Sequence, residues 1–182
     1  MEPDTVIGVS IEVPEPYADA LIRARESFGD PLARRVPPHI TLVPPMPVSA
    51  AEMPAIIDHL ARAATMIDPF RVRLRGTGTF RPVTPVVFLQ VAEGIGPCSL
   101  LEEKLRRPPL ERELFFPYHP HVTVAHNLDD AGLDHAFKEL ADYHAVFECA
   151  AFQLSEHGGD EDWRLVREFP LGPRLVTPPP AR

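Results

Sequence analysis

Apolar and polar positions alternate in short runs that proline and glycine interrupt, a pattern of brief strands between amphipathic helices. Thr5 to Val13 alternates apolar with small or polar residues and predicts a strand. Tyr17, Leu21, Ile22 and Phe28 recur at helical spacing between Glu15 and Phe28, and Gly29 closes that helix. His39 to Val43 reads as a short strand stopped by Pro44-Pro45. Ser49, with Glu52 three residues on, makes a capping box for a helix to about Ile67. Phe70 to Arg75 alternates strictly, giving a strand with one apolar and one basic face, and Val86 to Val91 is a further strand.

The second half repeats this order. Ser99 to Arg106 predicts a helix, His121 to Ala125 a strand, and Asp130 to Tyr143 a helix capped by Asp129 or Asp130. Val146 to Ser155 and Trp163 to Phe169 read as two closing strands around Gly158-Gly159. An offset of 82 carries His39 to His121, Ile40 to Val122, Thr41 to Thr123, Leu42 to Val124 and Phe70 to Phe152. A duplicated unit explains this most simply. The expected fold class is α+β and bilobal: two pseudo-symmetric lobes, each with an antiparallel sheet and helices, facing across a cleft. Residues 1–171 are expected to form this single domain, centred on His39 and His121, with 172–182 a Pro-rich disordered tail.

Composition narrows the function. The chain has 182 residues, 45% of them hydrophobic, enough for one substantial core. No apolar run approaches the roughly 20 residues of a membrane span, and no basic N-terminal segment suggests secretion. Cys98 and Cys149 make neither a disulfide framework nor a metal cluster, so a cytoplasmic setting is expected. Twenty-three prolines mostly punctuate short apolar runs. The net charge is −8, of which residues 113–182 contribute −7 from 5 basic and 12 acidic residues. Such a chain is poorly suited to gripping long nucleic acid through its phosphates. A nucleotide ligand is expected to be small, or met end-on.

The candidate chemistry lies in the two matched strands. Residues at i and i+2 share a strand face, so His39 and Thr41 point one way while Ile40 and Leu42 enter the core. His121 and Thr123 repeat the arrangement. Two imidazoles and two hydroxyls facing one cleft suit in-line displacement at phosphorus. One neutral histidine accepts a proton from the attacking oxygen, and the other gives one to the leaving oxygen. The threonines donate to the non-bridging oxygens.

At HITLV (39–43) and HVTVA (121–125) the sequence resembles the 2H phosphoesterase superfamily, the 2′-5′ RNA ligase and cyclic nucleotide phosphodiesterase proteins. The resemblance extends from residue 5 to 171, through FRPVTPVVFLQV and the closing WRLVREFPL. It implies metal-independent chemistry on 2′,3′-cyclic phosphates or 2′-5′ linkages. His39 and His121 would be catalytic, Thr41 and Thr123 would bind phosphate, and no cofactor or metal would be required. It also implies a basic residue where this chain has His126, so a phosphate contact there is weakened, pH-dependent or replaced. The expected substrate is a small cyclic phosphate, a nucleotide or an RNA terminus, met by a monomer with no membrane partner. The alternatives are reversible 2′-5′ RNA ligation, or a nucleotide-binding module without turnover.

Other residues enter with their bland readings beside them. His119 lines the cleft, or pairs with His121 as a metal site that would need a third ligand. Phe80 and Arg81, in FRPVTP, are candidate contacts for a stacked and paired nucleotide. Arg71, Arg73 and Arg75 form either a solvated stripe or a phosphate-attracting face. Phe115, Phe116 and Tyr118 are expected in the core rather than as a base platform.

Overall fold

The computed structural model describes residues 5–158 and 162–173. The elements run β1 (Thr5–Glu12), α1 (Tyr17–Ser27), β2 (His39–Val48), α2 (Met53–Ala64), β3 (Phe70–Thr79) and β4 (Val86–Glu93). Then follow α3 (Ile95–Leu105), β5 (His121–His126), α4 (Asp130–Glu139), β6 (His144–Cys149), β7 (Ala151–His157) and β8 (Trp163–Pro170). A 3-10 turn at Ala50–Glu52 opens α2, where the N–H and Oγ of Ser49 both donate to the Glu52 carboxylate. At α4 the Asp129 carboxylate accepts the Gly132 N–H at 2.8 Å, so Asp129 is the cap.

The strands form one antiparallel eight-stranded sheet in the order β6-β3-β4-β5-β2-β1-β7-β8. The expected pair of sheets is thus one sheet of two four-stranded halves, joined where β2 meets β5 at Ile40↔Val122. Nor do the halves follow the sequence repeat. β3 and β4 leave the first half of the sequence to pair with β6 and β5 of the second, and β7 leaves the second to pair with β1. Phe70, which opens β3, and Phe152, the second residue of β7, are matched by the offset of 82 and therefore lie in opposite halves of the sheet.

Several boundaries depart from expectation: β3 runs on to Thr79, α3 begins at Ile95, α4 ends at Glu139, and two further changes reshape the sheet. β2 continues past Pro44-Pro45, pairing Ile7↔Met46 and Thr5↔Val48 across a register shift between Ile7 and Val9. The bulge accommodates prolines that cannot donate to a regular ladder. The run 146–155 is two strands, because the buried positions change phase from Ala145, Phe147 and Cys149 to Phe152 and Leu154. At Ala150 the chain crosses from one half of the sheet to the other.

Alternation sorts the sheet's faces. Ile7, Val9, Ile11, Ile40, Leu42, Leu89, Val122 and Val124 are fully or almost fully buried, with Leu21, Leu60, Leu101 and Leu133 from the four helices. The opposite face carries Ser10, Glu12, His39, Thr41, Gln90, His121, Thr123 and Gln153, none of them buried. Gly172 is tied down by its N–H to the Ala64 and Ile67 carbonyls, and the rest of the expected tail, 174–182, lies outside the described residues.

Candidate functional site

The Ile40↔Val122 pair builds the site. Antiparallel pairing about it sets His39 across from Thr123 and Thr41 across from His121. Residues opposed in this way have Cβ atoms about 4.5–5.5 Å apart. The four side chains thus form a quadrilateral in which each imidazole neighbours the other strand's hydroxyl.

Both rings are oriented alike. His39 Nδ1 lies 2.8 Å from the Pro37 carbonyl, and His121 Nδ1 lies 2.6 Å from the His119 carbonyl. A carbonyl can only accept, so each Nδ1 carries the proton and the neutral ring keeps its lone pair on Nε2. The proline before each histidine holds an extended approach that places these carbonyls two residues upstream.

The surroundings of the two histidines differ. Across the outer ladders, His39 faces Glu12 on β1, whereas His121 faces Gln90 on β4. His121 packs against Phe80 and Phe88, with ring centroids 5.0 and 5.1 Å away, and stacks on His119 at 5.9 Å. Burial among these rings pushes the His121 pKa below its ordinary value. The bond to the His119 carbonyl opposes that, while the charges of His119 and His39 add to it. The Glu12 carboxyl is pushed up by burial, with His39 and the Ser10 hydroxyl pulling it back.

A cavity of ≈ 470 Å³ opens on this face, lined by Glu12, His39, Thr41, Thr123, His126 and Trp163 among others. Trp163 lies over Gly8, where a Cβ would stand 3.2 Å from its ring. A larger hollow of ≈ 890 Å³ beside Arg73, Arg75 and Tyr143 contains none of the four motif side chains. Its size does not make it the reaction site.

The remaining predicted residues divide. His126 lines the cavity, and Phe80 and His119 belong to the aromatic group around His121. The Arg81 guanidinium is engaged by Asp134 at 2.8 Å and Asp130 at 3.8 Å. Arg71 and Arg73 share Glu93 at 3.7 and 3.2 Å. Tyr118 is largely inside, its hydroxyl donating to the Thr41 carbonyl at 2.9 Å. Phe115 and Phe116 are not core at all, being 93% and 70% exposed. Glu12, Gln90, Phe88 and Trp163 were missed, because their place depends on strand pairing between distant segments.

Among the described residues, no group of three or more His, Cys, Asp or Glu is arranged to hold a metal ion. Among the same residues, no helix is long and apolar enough to cross a membrane.

Comparison with known proteins extends the picture. A family model described as the 2'-5' RNA ligase superfamily matches residues 13–161. A Bacillus cereus (strain AH820) protein named "Putative phosphoesterase" is 31% identical over 147 residues, 79% of this chain and 84% of that protein. A Bacillus cytotoxicus protein of the same designation is 29% identical over 147 residues, with the same coverage. Among solved structures, E. coli LigT in apo form matches at a TM-score of 0.69 and 18% identity, covering 94% of this chain and 99% of that one. LigT complexed with NADP+ matches at 0.70 and 19%, with the same coverage. At these identities the likeness to LigT shows the fold.

Proposed function

The chain belongs to the 2′-5′ RNA ligase superfamily, and from that premise we propose that it is a metal-independent phosphodiesterase opening 2′,3′-cyclic phosphates on nucleotides or RNA ends. The observation that carries this reading is the Ile40↔Val122 pairing, which gathers two imidazoles and two hydroxyls on one open sheet face.

His121 is the general base. Its lowered pKa keeps the ring neutral, and its Nδ1–H bond to the His119 carbonyl directs Nε2 as acceptor. Nε2 takes a proton from water as the water oxygen bonds to phosphorus. The bond from phosphorus to one ribose oxygen breaks in line. His39 delivers a proton to that leaving oxygen, and Glu12 across the ladder faces the charge the ring carries beforehand. Thr41 and Thr123 donate hydrogen bonds to the non-bridging oxygens, whose charge must be held throughout. His119, His126 and Phe80 contact the substrate around this centre. One water is consumed, and one cyclic diester becomes a monoester.

The family match also favours the related reaction in which an RNA 5′-hydroxyl replaces water and a 2′-5′ bond forms. It needs the same two proton transfers. The deciding experiment is incubation with the four mononucleoside 2′,3′-cyclic phosphates in chelator-treated buffer. Ring opening is expected, whereas binding without turnover would leave a nucleotide-binding module.

A further inference from the structure

We propose that the Trp163 ring, lying over Gly8, is the wall on which the substrate's nucleobase stacks, with Ser155 and Gln153 meeting the edge of that base. This rests on the phosphodiesterase reading and deepens it, placing the nucleoside on the β1, β7 and β8 side of the two histidines.

Trp163 opens β8 opposite His157 of β7, its ring edge-on to that imidazole with centroids 5.2 Å apart. From there it reaches across β7 to β1. A Cβ built on Gly8 would stand 3.2 and 3.3 Å from two of its ring carbons. Glycine inside a strand weakens it and marks places of close approach, and here the approach is made by the indole. Ile7 and Val9 are buried in the core, so Gly8 opens on the same face as Ser10 and Glu12. The ring therefore rests on the face that carries the two histidines.

Strand geometry gives the span. Ser10 opposes Thr41 across the β1–β2 ladder. Gly8 is about 6.6 Å further along β1, and neighbouring strands lie about 4.8 Å apart. The seat of the indole is thus roughly 8 Å from Thr41 on the diagonal, a gap for a ribose between phosphate and base. The ≈ 470 Å³ cavity joins these points, since Thr41 and Thr123 line it together with Gly8, Trp163 and Leu165. Among the described residues, none between α3 and β5 lines it.

The chemistry of this end of the cavity suits a flat ring with a polar edge. Trp163 is half-buried and Leu165 is 58% exposed, so an apolar surface stands open beside the reaction centre. Ser155 opposes both Gly8 and Leu165, and Gln153 opposes Ser10. The Gln153 Nε2 donates to Glu168 at 3.3 Å, which leaves the amide oxygen to accept from a base. Affinity has to come from such contacts, because a chain of net charge −8 gains little from neutralising phosphate. Stacking on an aromatic ring does not draw on charge.

The experiment compares wild type, Trp163→Ala and Trp163→Phe on adenosine 2′,3′-cyclic phosphate and on methyl riboside 2′,3′-cyclic phosphate, which lacks the base. Trp163→Ala should raise KM for the nucleotide by about 5- to 150-fold, with kcat retained and the KM of the base-free ester unmoved. Trp163→Phe should recover most of the loss. An unchanged nucleotide KM, or an equal loss on both esters, overturns the wall. Trp163 is the one tryptophan of the chain, so its emission reports on the site directly. Adenosine 3′-phosphate should quench it in wild type, and methyl riboside 3′-phosphate should not. If wild type opens neither ester, the phosphodiesterase reading fails, and emission then decides the wall alone. Quenching by the nucleotide only supports it; unchanged emission, or equal quenching by both, overturns it.

Discussion

Ile40 pairs with Val122, and this contact sets His39 against Thr123 and Thr41 against His121. Both are completely buried, so the core that holds them also fixes the register of the catalytic face. A slip of one residue on either strand would turn its histidine and threonine into the core.

Replacing either histidine by alanine should cut turnover of a 2′,3′-cyclic nucleotide by about 10² to 10⁴, the range for one general acid or base. The double variant should lose less than the product of the two, since both serve one displacement. Steady-state kinetics checks this. Near-normal turnover in either single variant would place the chemistry elsewhere.

The pH profile should be bell-shaped, with an acid limb set by His121. That ring must be neutral to accept a proton, and burial lowers its pKa, so activity should fall only as pH drops below about 6.5. Replacing His119 by phenylalanine keeps apolar bulk but removes a neighbouring charge, and should move the limb upward. The same shift makes His121 favour folding more as pH rises from its lowered value to about 6.5, fully above that. An acid limb centred above pH 7 would contradict the assignment of the base.

Chelator should leave turnover unchanged, because the two proton transfers assign no electrophilic task to a cation. Activity lost to chelation and restored by zinc would instead promote His119 and His121 as ligands.

Arg25 and Asp30 make a buried ion pair at 2.8 Å, their side chains 4% and 2% exposed. Arg25 also donates to the Leu32 and Val36 carbonyls, one residue before the Pro37 carbonyl that orients His39. Arg25→Ala leaves the carboxylate buried and unpaired, and should cost about 3–5 kcal/mol in denaturant melts. A loss below about 1 kcal/mol would mean that the pair is readily replaced.

The motif strands were legible because alternation, proline brackets and the 82-residue offset are all local or periodic signals. What they pair with was not. Glu12 and Gln90 become neighbours of the histidines only through ladders that unite distant segments. The crossing at Ala150 left a trace, the phase change from Phe147 and Cys149 to Phe152, which the apolar run obscured. Phe115 and Phe116 were misread because residue type alone favours burial, and nothing local announces a bend pinned by Arg112 and Tyr118.

Thr41→Val and Thr123→Val test whether the hydroxyls act on the substrate. Valine has nearly the same shape and suits a strand, so the sheet should form as before. Both positions are half-buried on the open face, and no side-chain hydrogen bond of Thr41 or Thr123 to a neighbouring residue is seen among the described residues. Their loss should therefore leave the melting temperature nearly unchanged. What disappears is a donor to a charged oxygen, worth about 1.5–3 kcal/mol, or roughly a 10- to 150-fold fall in kcat/KM if felt in the transition state. Thr→Ser keeps the donor and should retain most of the activity. Two valine variants that melt normally and turn over at the wild-type rate would reduce the threonines to strand formers, leaving the histidines to carry the chemistry alone.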